Sequence, residues 1–288
     1  MRKFILSADA GCDLTPELLK KYDVKVLPLK FMVGKDEYSS DDGKITTEEI
    51  CRRMIAGEKT STSQANPVDA EIYLKELLSL GRDIVHLTMS SAMSGTYETM
   101  KNVAEKLNAE SRNKIFVVDS LCQCSGYGLL LAMTADESDA KNLTAEQAAK
   151  YAESVRLKVV HNFSVDTLTF LACGGRVPSY LATLGNLIKL KPVLHVDDSG
   201  KIVMLKKQLG RRRALDDLAA RFIDTYDGYY PHAFICHACC EEDAEYVKTK
   251  INERIPEVEI TILPLGTIIV SHSGSGTLAL FFTAASRE

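Results

Sequence analysis

The stretch that most constrains the fold runs from 84 to 97. Ile84-Val85-His86-Leu87-Thr88-Met89 is an apolar run of strand length, and Thr96 to Asn108 reads as a helix. Ser90-Ser91-Ala92-Met93-Ser94-Gly95 joins them as a small, hydroxyl-rich turn. A buried strand that passes through a short turn into a helix is half of a βαβ unit, and such units build a sheet with helices packed on it. The turn also sets free backbone N–H groups and hydroxyls at the positive end of a helix, which suits an anion.

The same alternation fills the first half of the chain. Phe4 to Ala8 is a strand, Asp9-Ala10-Gly11-Cys12-Asp13 a turn, and Thr15-Pro16-Glu17 opens a helix with Pro in its first turn. Val24 to Val33 reads as one strand, placed at an edge or bulged by Pro28, with a hairpin turn at Gly34-Lys35-Asp36-Glu37. Thr46-Thr47-Glu48-Glu49 is a capping box for a helix to Ala56, Thr60 to Gln64 a polar loop, and Asn66-Pro67 the start of a helix to Leu80. Lys114 to Val118 is a strand, Gly126 to Ala135 an apolar helix, and Asp136 to Asn142 a charged turn. Thr144-x-x-Gln147 caps a helix that runs to about Val160. The pattern predicts an α/β fold with an N-terminal domain over 1–160, its sheet mostly parallel. Its polar loops, 9–13, 60–64, 90–96 and 119–125, gather at the strand ends where open α/β sheets bind ligands.

Residues 161–288 predict a smaller C-terminal α/β domain. Helices are expected over Thr167 to Cys173 and Pro178 to Ile188, and a hairpin turns at Asp197-Asp198-Ser199-Gly200 between Lys191 to Val196 and Lys201 to Lys206. A helix over Arg211 to Thr225 begins with three arginines, the wrong sign for the helix dipole. Strands over Ala233 to His237 and Val258 to Leu263 flank a helix from Glu241 to Arg254. Thr267 to Val270 and Thr277 to Thr283 read as the last strands, with Ser271-His272-Ser273-Gly274-Ser275-Gly276 a loop between them.

Apolar residues make up 45% and charged residues 26% of the chain, with a formal net charge of −4. That balance describes an ordinary folded protein and argues against broad binding to nucleic acid or anionic membrane. No apolar run reaches the length of a membrane span. The apolar stretch before Asp9 is too short for a signal peptide, so a cytoplasmic location is expected. Cys236-His237-Ala238-Cys239-Cys240 could form half a zinc site, but no second Cys/His pair stands at ligand spacing, and a strand would point its members to opposite faces. No metal and no disulfide is expected.

Three turns carry candidate chemistry: Thr60 to Gln64, Ser90 to Thr96 and Ser271 to Gly276. The third reaches the others only across a cleft between domains, a common place for a ligand site. A serine hydrolase would use Ser94 as nucleophile and His272 as base, with Asp9 or Asp119 as third member, but the Gly-x-Ser-x-Gly elbow is missing. The same groups fit non-covalent binding of a carboxylate or phosphate. A phosphate-ligand enzyme is the third reading, and the lack of a Gly-x-x-x-x-Gly-Lys loop counts against nucleotide binding of the P-loop kind.

Several motifs, in order, resemble the DegV family. They are Asp9-x-x-x-Asp13-Leu14, Val26-Leu27-Pro28-Leu29, Tyr38-x-x-Asp41, Thr60-Ser61-Thr62-Ser63-Gln64 and Ser90-Ser91-x-x-Ser94-Gly95-Thr96-Tyr97. Asp119-Ser120, Gly174-Gly175-Arg176, Lys191-Pro192-Val193-Leu194 and the segment from His272 to Phe282 complete the set. The resemblance implies a two-domain α/β protein that binds one long-chain fatty acid, its acyl chain in a tunnel and its carboxylate at the domain interface. It implies no catalytic turnover and no cofactor beyond that ligand. It places Thr62, Ser94 and His272 at the carboxylate, with Gly95 in the same turn and Ser63 and Arg176 in the accompanying motifs. It also implies a separate ATP-dependent kinase subunit that makes an acyl phosphate.

For such a ligand, Leu181 to Leu190 and Leu278 to Phe282 are the expected apolar lining. Lys206, Lys207, Arg211, Arg212 and Arg213 would meet an acidic kinase partner. The chain departs from the family pattern at Ala10, Ala65 and Ser275, and at Leu209, where the family has an arginine on its kinase-facing surface.

Overall fold

The computed structural model describes residues 2–180 and 190–287. The first sheet is built from β1 (Phe4–Asp9), β2 (Val24–Leu27), β6 (Asp83–Thr88) and β7 (Ile115–Asp119). Its order is β2-β1-β6-β7, and every pairing is parallel. All six residues of β1 are buried, as expected for a central parallel strand covered on both faces. Of the helices that cover this sheet, α3 (Pro67–Leu78) packs on α4 (Thr96–Glu110), and α5 (Cys124–Lys141) on α6 (Ala145–Val155).

The second sheet contains β8 (Val159–Ser164), β9 (Leu190–Val196), β10 (Ile202–Leu209), β11 (His232–His237), β12 (Glu259–Pro264) and β13 (Leu278–Thr283). Its order is β10-β9-β8-β13-β11-β12, antiparallel except at β11–β12. One face packs on α8 (Arg211–Thr225) and α9 (Glu241–Asn252), where Leu278, Leu280 and Phe282 join Leu215, Leu218 and Phe222. The other face, through Phe163, Ala279 and Phe281, joins the core of the first domain. Between the sheets lies α5, buried from Cys124 to Ala135 and in contact with β8, β11 and β13. A helix apolar all round is one enclosed by protein. The chain is therefore two α/β domains clasping one shared helix. The new sheet begins at Val159, within the stretch expected to close the first domain.

Four elements differ from the sequence expectation. Val24 to Val33 is two strands in different sheets, since Pro28 ends β2 and β3 (Lys30–Val33) turns away. β3 pairs with β4 (Asp36–Ser39) and β5 (Thr60–Thr62) in a small antiparallel sheet, so the polar loop at 60 is an edge strand. Asp136 to Asn142 continues α5 as far as Lys141, and Asn142 ends it in the left-handed region. Thr267 to Val270 belongs to a helix, α10 (Thr267–Ser273), despite its β-branched residues. Packing of Ile268 and Val270 into the core outweighs local preference there. The expected helix Pro178 to Ile188 from Leu181 onward, and all of Leu181 to Leu190 but its last residue, lie outside the described residues.

Arg287 ties the two domains at the end of the chain. It is 4% exposed and donates to the carbonyls of Val159 (2.9 Å), Leu121 (2.7 Å), Asp197 (3.2 Å) and Arg156. Its removal leaves several buried carbonyls unpaired. Arg287→Ala should lower the unfolding free energy by about 2–4 kcal/mol, read as a shift of the urea midpoint. An unchanged midpoint would show that these carbonyls find other partners.

Candidate functional site

Three turns expected to carry chemistry meet between the domains. The Ser90–Ser94 turn follows β6 and leads into α4, whose N-cap is Gly95. Ser94 Oγ donates to Thr96 Oγ1 (3.0 Å) and accepts from the Thr96 N–H (3.2 Å). Thr96 Oγ1 in turn accepts from the Ala65 N–H (3.1 Å), which draws the turn against the end of β5. Gly95 is packed on Gln64, and a Cβ there would lie 1.9 Å from Gln64 Oε1. A larger residue there would have to displace the Gln64 side chain.

The third turn is the C-terminal end of α10. His272 Nε2 is 2.7 Å from Thr62 Oγ1, and Thr60 Oγ1 donates to the Ser271 carbonyl (2.5 Å). The His272 Nδ1 edge faces Gly174 and, among the described residues, has no hydrogen-bond partner. Burial, with the positive Arg176 nearby, pushes His272 down to about 4, so the ring is neutral at pH 7. Arg176 is half-buried, its charge also disfavoured by burial, and Nη1 donates to the Gly174 carbonyl.

These side chains share one cavity of about 750 Å³ of unfilled space, mouth included. Thr62, Ser63, Ser94, Arg176 and His272 all line it. Gly95, of the six expected residues, is set back behind the lining. The apolar wall draws on both domains, with Leu29, Met89 and Met93 from the first and Phe163, Leu171 and Ile268 from the second. Ala279 and Phe281 line it too, while Leu278, Leu280 and Phe282 face the opposite core, as strand alternation requires. Sequence reasoning missed Met93, His161 and Leu265 in the wall. Met93 and Leu265 are apolar, a signal that does not separate lining from core, and nothing in the local sequence singled out His161.

The hydrolase arrangement does not form. Ser94 Oγ and His272 Nε2 are each bonded elsewhere, and no carboxylate holds Nδ1. Asp9 accepts from the Gly11 and Met89 N–H groups (both 2.9 Å), and Asp119 from those of Ser91 (3.0 Å) and Leu121 (3.1 Å). The cysteine cluster also splits. Cys236 is buried on Ser125 Oγ, Cys239 is exposed and Cys240 contacts Arg211. Among the described residues no group of three or more His, Cys, Asp or Glu could hold a metal ion, and no helix is long and apolar enough to cross a membrane.

The basic segment is largely paired within the chain. Lys206 meets Asp217 (2.6 Å), Arg211 meets Asp243 (2.8 Å), and Arg212 lies 3.0 Å from the Tyr246 ring centroid. Arg211 thus has a structural reason to sit at a helix start. Lys207 and Arg213 are exposed.

Fold and site define a class: a two-domain α/β protein with a largely apolar cavity between its domains and a cluster of hydroxyls, an imidazole and a guanidinium in the wall. The chain belongs to the DegV family. The family model, described as "Uncharacterised protein, DegV family", matches residues 3–285. The DegV domain-containing protein CPE0026 of Clostridium perfringens is 32% identical over 295 residues, covering 100% of both chains. Among solved structures, a fatty-acid-binding DegV family protein from Thermus thermophilus is similar, at 26% identity and a TM-score of 0.86 over 99% of this chain and 100% of that one. The Streptococcus pneumoniae Fatty Acid Kinase (Fak) B3 protein, solved loaded with linoleic acid, shares the fold at 19% identity and a TM-score of 0.82, over 99% and 100%.

The His272 value has a sign that can be checked. A ring held below its unfolded value of 6.5 contributes stability that is complete above about pH 6.5. That contribution is lost as pH falls from there through the folded value. In an NMR titration the His272 ring should stay neutral at pH 5.5 and protonate near pH 4. A midpoint near 6.5 would show the ring to be solvated.

Proposed function

We propose that this protein binds one long-chain fatty acid without covalent chemistry. The acyl chain occupies the cavity, and the carboxylate meets Thr62, Ser94 and His272, with Ser63, Gly95 and Arg176 around them. The observation that carries this reading is the 2.7 Å contact of Thr62 with His272 in the wall of a mostly apolar cavity. An apolar enclosure contributes about 0.8 kcal/mol per buried CH₂, so the chain supplies most of the affinity and the polar end sets orientation. A neutral imidazole that donates through Nε2–H to Thr62 Oγ1 leaves the threonine proton free to donate to a carboxylate. Ser94 does the same by turning its proton away from Thr96. Arg176 adds the positive charge that His272 lacks.

The resemblance to the Streptococcus kinase protein supports a second step, in which a separate ATP-dependent subunit phosphorylates the presented carboxylate. In that assembly Lys207 and Arg213 are the members of the basic segment left to face an acidic partner, since Lys206, Arg211 and Arg212 are engaged within the chain. The exposed Leu209 leaves that face without the guanidinium of the family pattern.

Organic extraction of the purified protein followed by mass spectrometry should yield one fatty acid per chain. Recovery of none, with no uptake of added oleate or palmitate, would overturn the proposal. Thr62→Val and His272→Ala should each weaken binding about tenfold, as expected when one hydrogen bond to a charged group is lost. A fluorophosphonate probe should leave Ser94 unlabelled, because nothing removes its proton. Labelling abolished by Ser94→Ala would favour the esterase reading instead.

A further inference from the structure

The turn that carries Ser94 is held from outside its own domain. Ser90 is fully buried. Its N–H donates to the Cys122 carbonyl (2.8 Å), and its own carbonyl accepts the N–H groups of Met93 (3.0 Å) and Ser94 (3.1 Å). Its Oγ accepts from the Ala92 N–H (3.3 Å). The hydroxyl proton leaves the domain, donating to the Gly200 carbonyl at 2.9 Å.

Gly200 closes the β9–β10 hairpin, and that hairpin tip is stiff. Asp197 and Lys201 pair through the Asp197 N–H (2.9 Å), and the Gly200 N–H donates to the Asp197 carbonyl (2.9 Å). Asp197 Oδ1 accepts from Ser199 Oγ (2.7 Å) and the Lys201 N–H (2.9 Å). Gly200 has φ +78°, and a Cβ would lie 2.2 Å from Ser90 Oγ and 3.2 Å from Leu121. Glycine alone permits this approach. Arg287 pins the same tip by bonding both the Asp197 and Leu121 carbonyls. Met93 beside the turn and Ile202 beside the tip both line the cavity.

We propose that the 197–200 hairpin tip is a positioning element for the ligand site. Through the Ser90–Gly200 bond it fixes the turn that carries Ser94, and so sets how long a bound carboxylate is held. The identity of the ligand rests on the reading above, but the hold on the turn does not. Loss of the Ser90 hydroxyl leaves a buried carbonyl unpaired in one domain and frees the turn in the other.

Ser90→Ala in the full chain removes one oxygen and tests this twice. Hydrogen exchange of the ligand-free protein, followed by mass spectrometry, should be about tenfold faster at 92–96, with α8 and β11 unchanged. Stopped-flow release of a fluorescent fatty acid should also speed up about tenfold, with little change in association. Gly200→Ala attacks the contact from the other domain and should give the same two changes. Ser90→Cys, which keeps the volume with a weaker donor, should fall between. Unchanged exchange at 92–96 overturns the proposal. So does faster exchange with unchanged release, or faster exchange throughout the chain. If the wild-type protein does not bind the probe, fatty-acid binding fails as a reading, and exchange at 92–96 decides whether the tip holds the turn.

Discussion

The hydrogen bond between Thr62 and His272 is the contact on which the rest of the site depends. It joins the last residue of an edge strand in one domain to the last turn of a helix in the other. A bond of 2.7 Å across such a seam requires the domains to be held in one relation. Two neighbouring threonines help to hold it: Thr60 donates to the Ser271 carbonyl, and Thr47 to the Leu265 carbonyl (2.6 Å). Thus three hydroxyls of the first domain fasten the segment from Leu265 to His272. Beneath them α5 fills the space between the sheets with side chains that belong to both cores.

How far the site was legible follows from the signals involved. The Ser90–Thr96 turn was legible because a strand-length apolar run leads through hydroxyl residues into a helical pattern. β5 was hidden because Thr-Ser-Thr has no apolar face, and its strand form comes from pairing with β3. α10 was misread because four residues, Thr-Ile-Ile-Val, are too few to separate a period of 2 from one of 3.6. Its helical form aims His272 back at Thr62, a geometry that a loop at the same position would not have dictated. That the three turns could meet across a cleft between domains followed from loop placement, whereas the assignment of Thr62, Ser94 and His272 to one carboxylate came from the family resemblance. The arginines at 211–213 show the converse. Their sign was wrong for the helix dipole, and the reason for Arg211 lay in Asp243, remote in sequence.

The wall carries one guanidinium beside a neutral imidazole. His272 is neutral, so Arg176 brings the full positive charge. Among the described residues it donates to the Gly174 carbonyl, a neutral group. In the proposed reading a carboxylate next to this half-buried cation gains more than a neutral ligand would. The imidazole then contributes direction rather than charge. In that reading it holds the Thr62 hydroxyl, which then donates without first losing rotational freedom.

The same logic extends to the acids behind the wall. Asp13 accepts from the thiol of Cys124, a lining residue, at 3.2 Å, and Asp9 lies close enough for its charge to act on Asp13. Two ionised carboxylates there would oppose a bound anion. Burial pushes Asp13 up to about 7 and Asp9 up to about 6. A raised carboxyl stabilises the fold below its unfolded value and loses that contribution as pH rises through the folded one, opposite in sign to the histidine. The consequence for the cavity is local. Burial favours the protonated form of Asp13 and so lowers the negative charge next to Cys124. The burial that surrounds this part of the wall therefore also holds back the ionisation of Asp13.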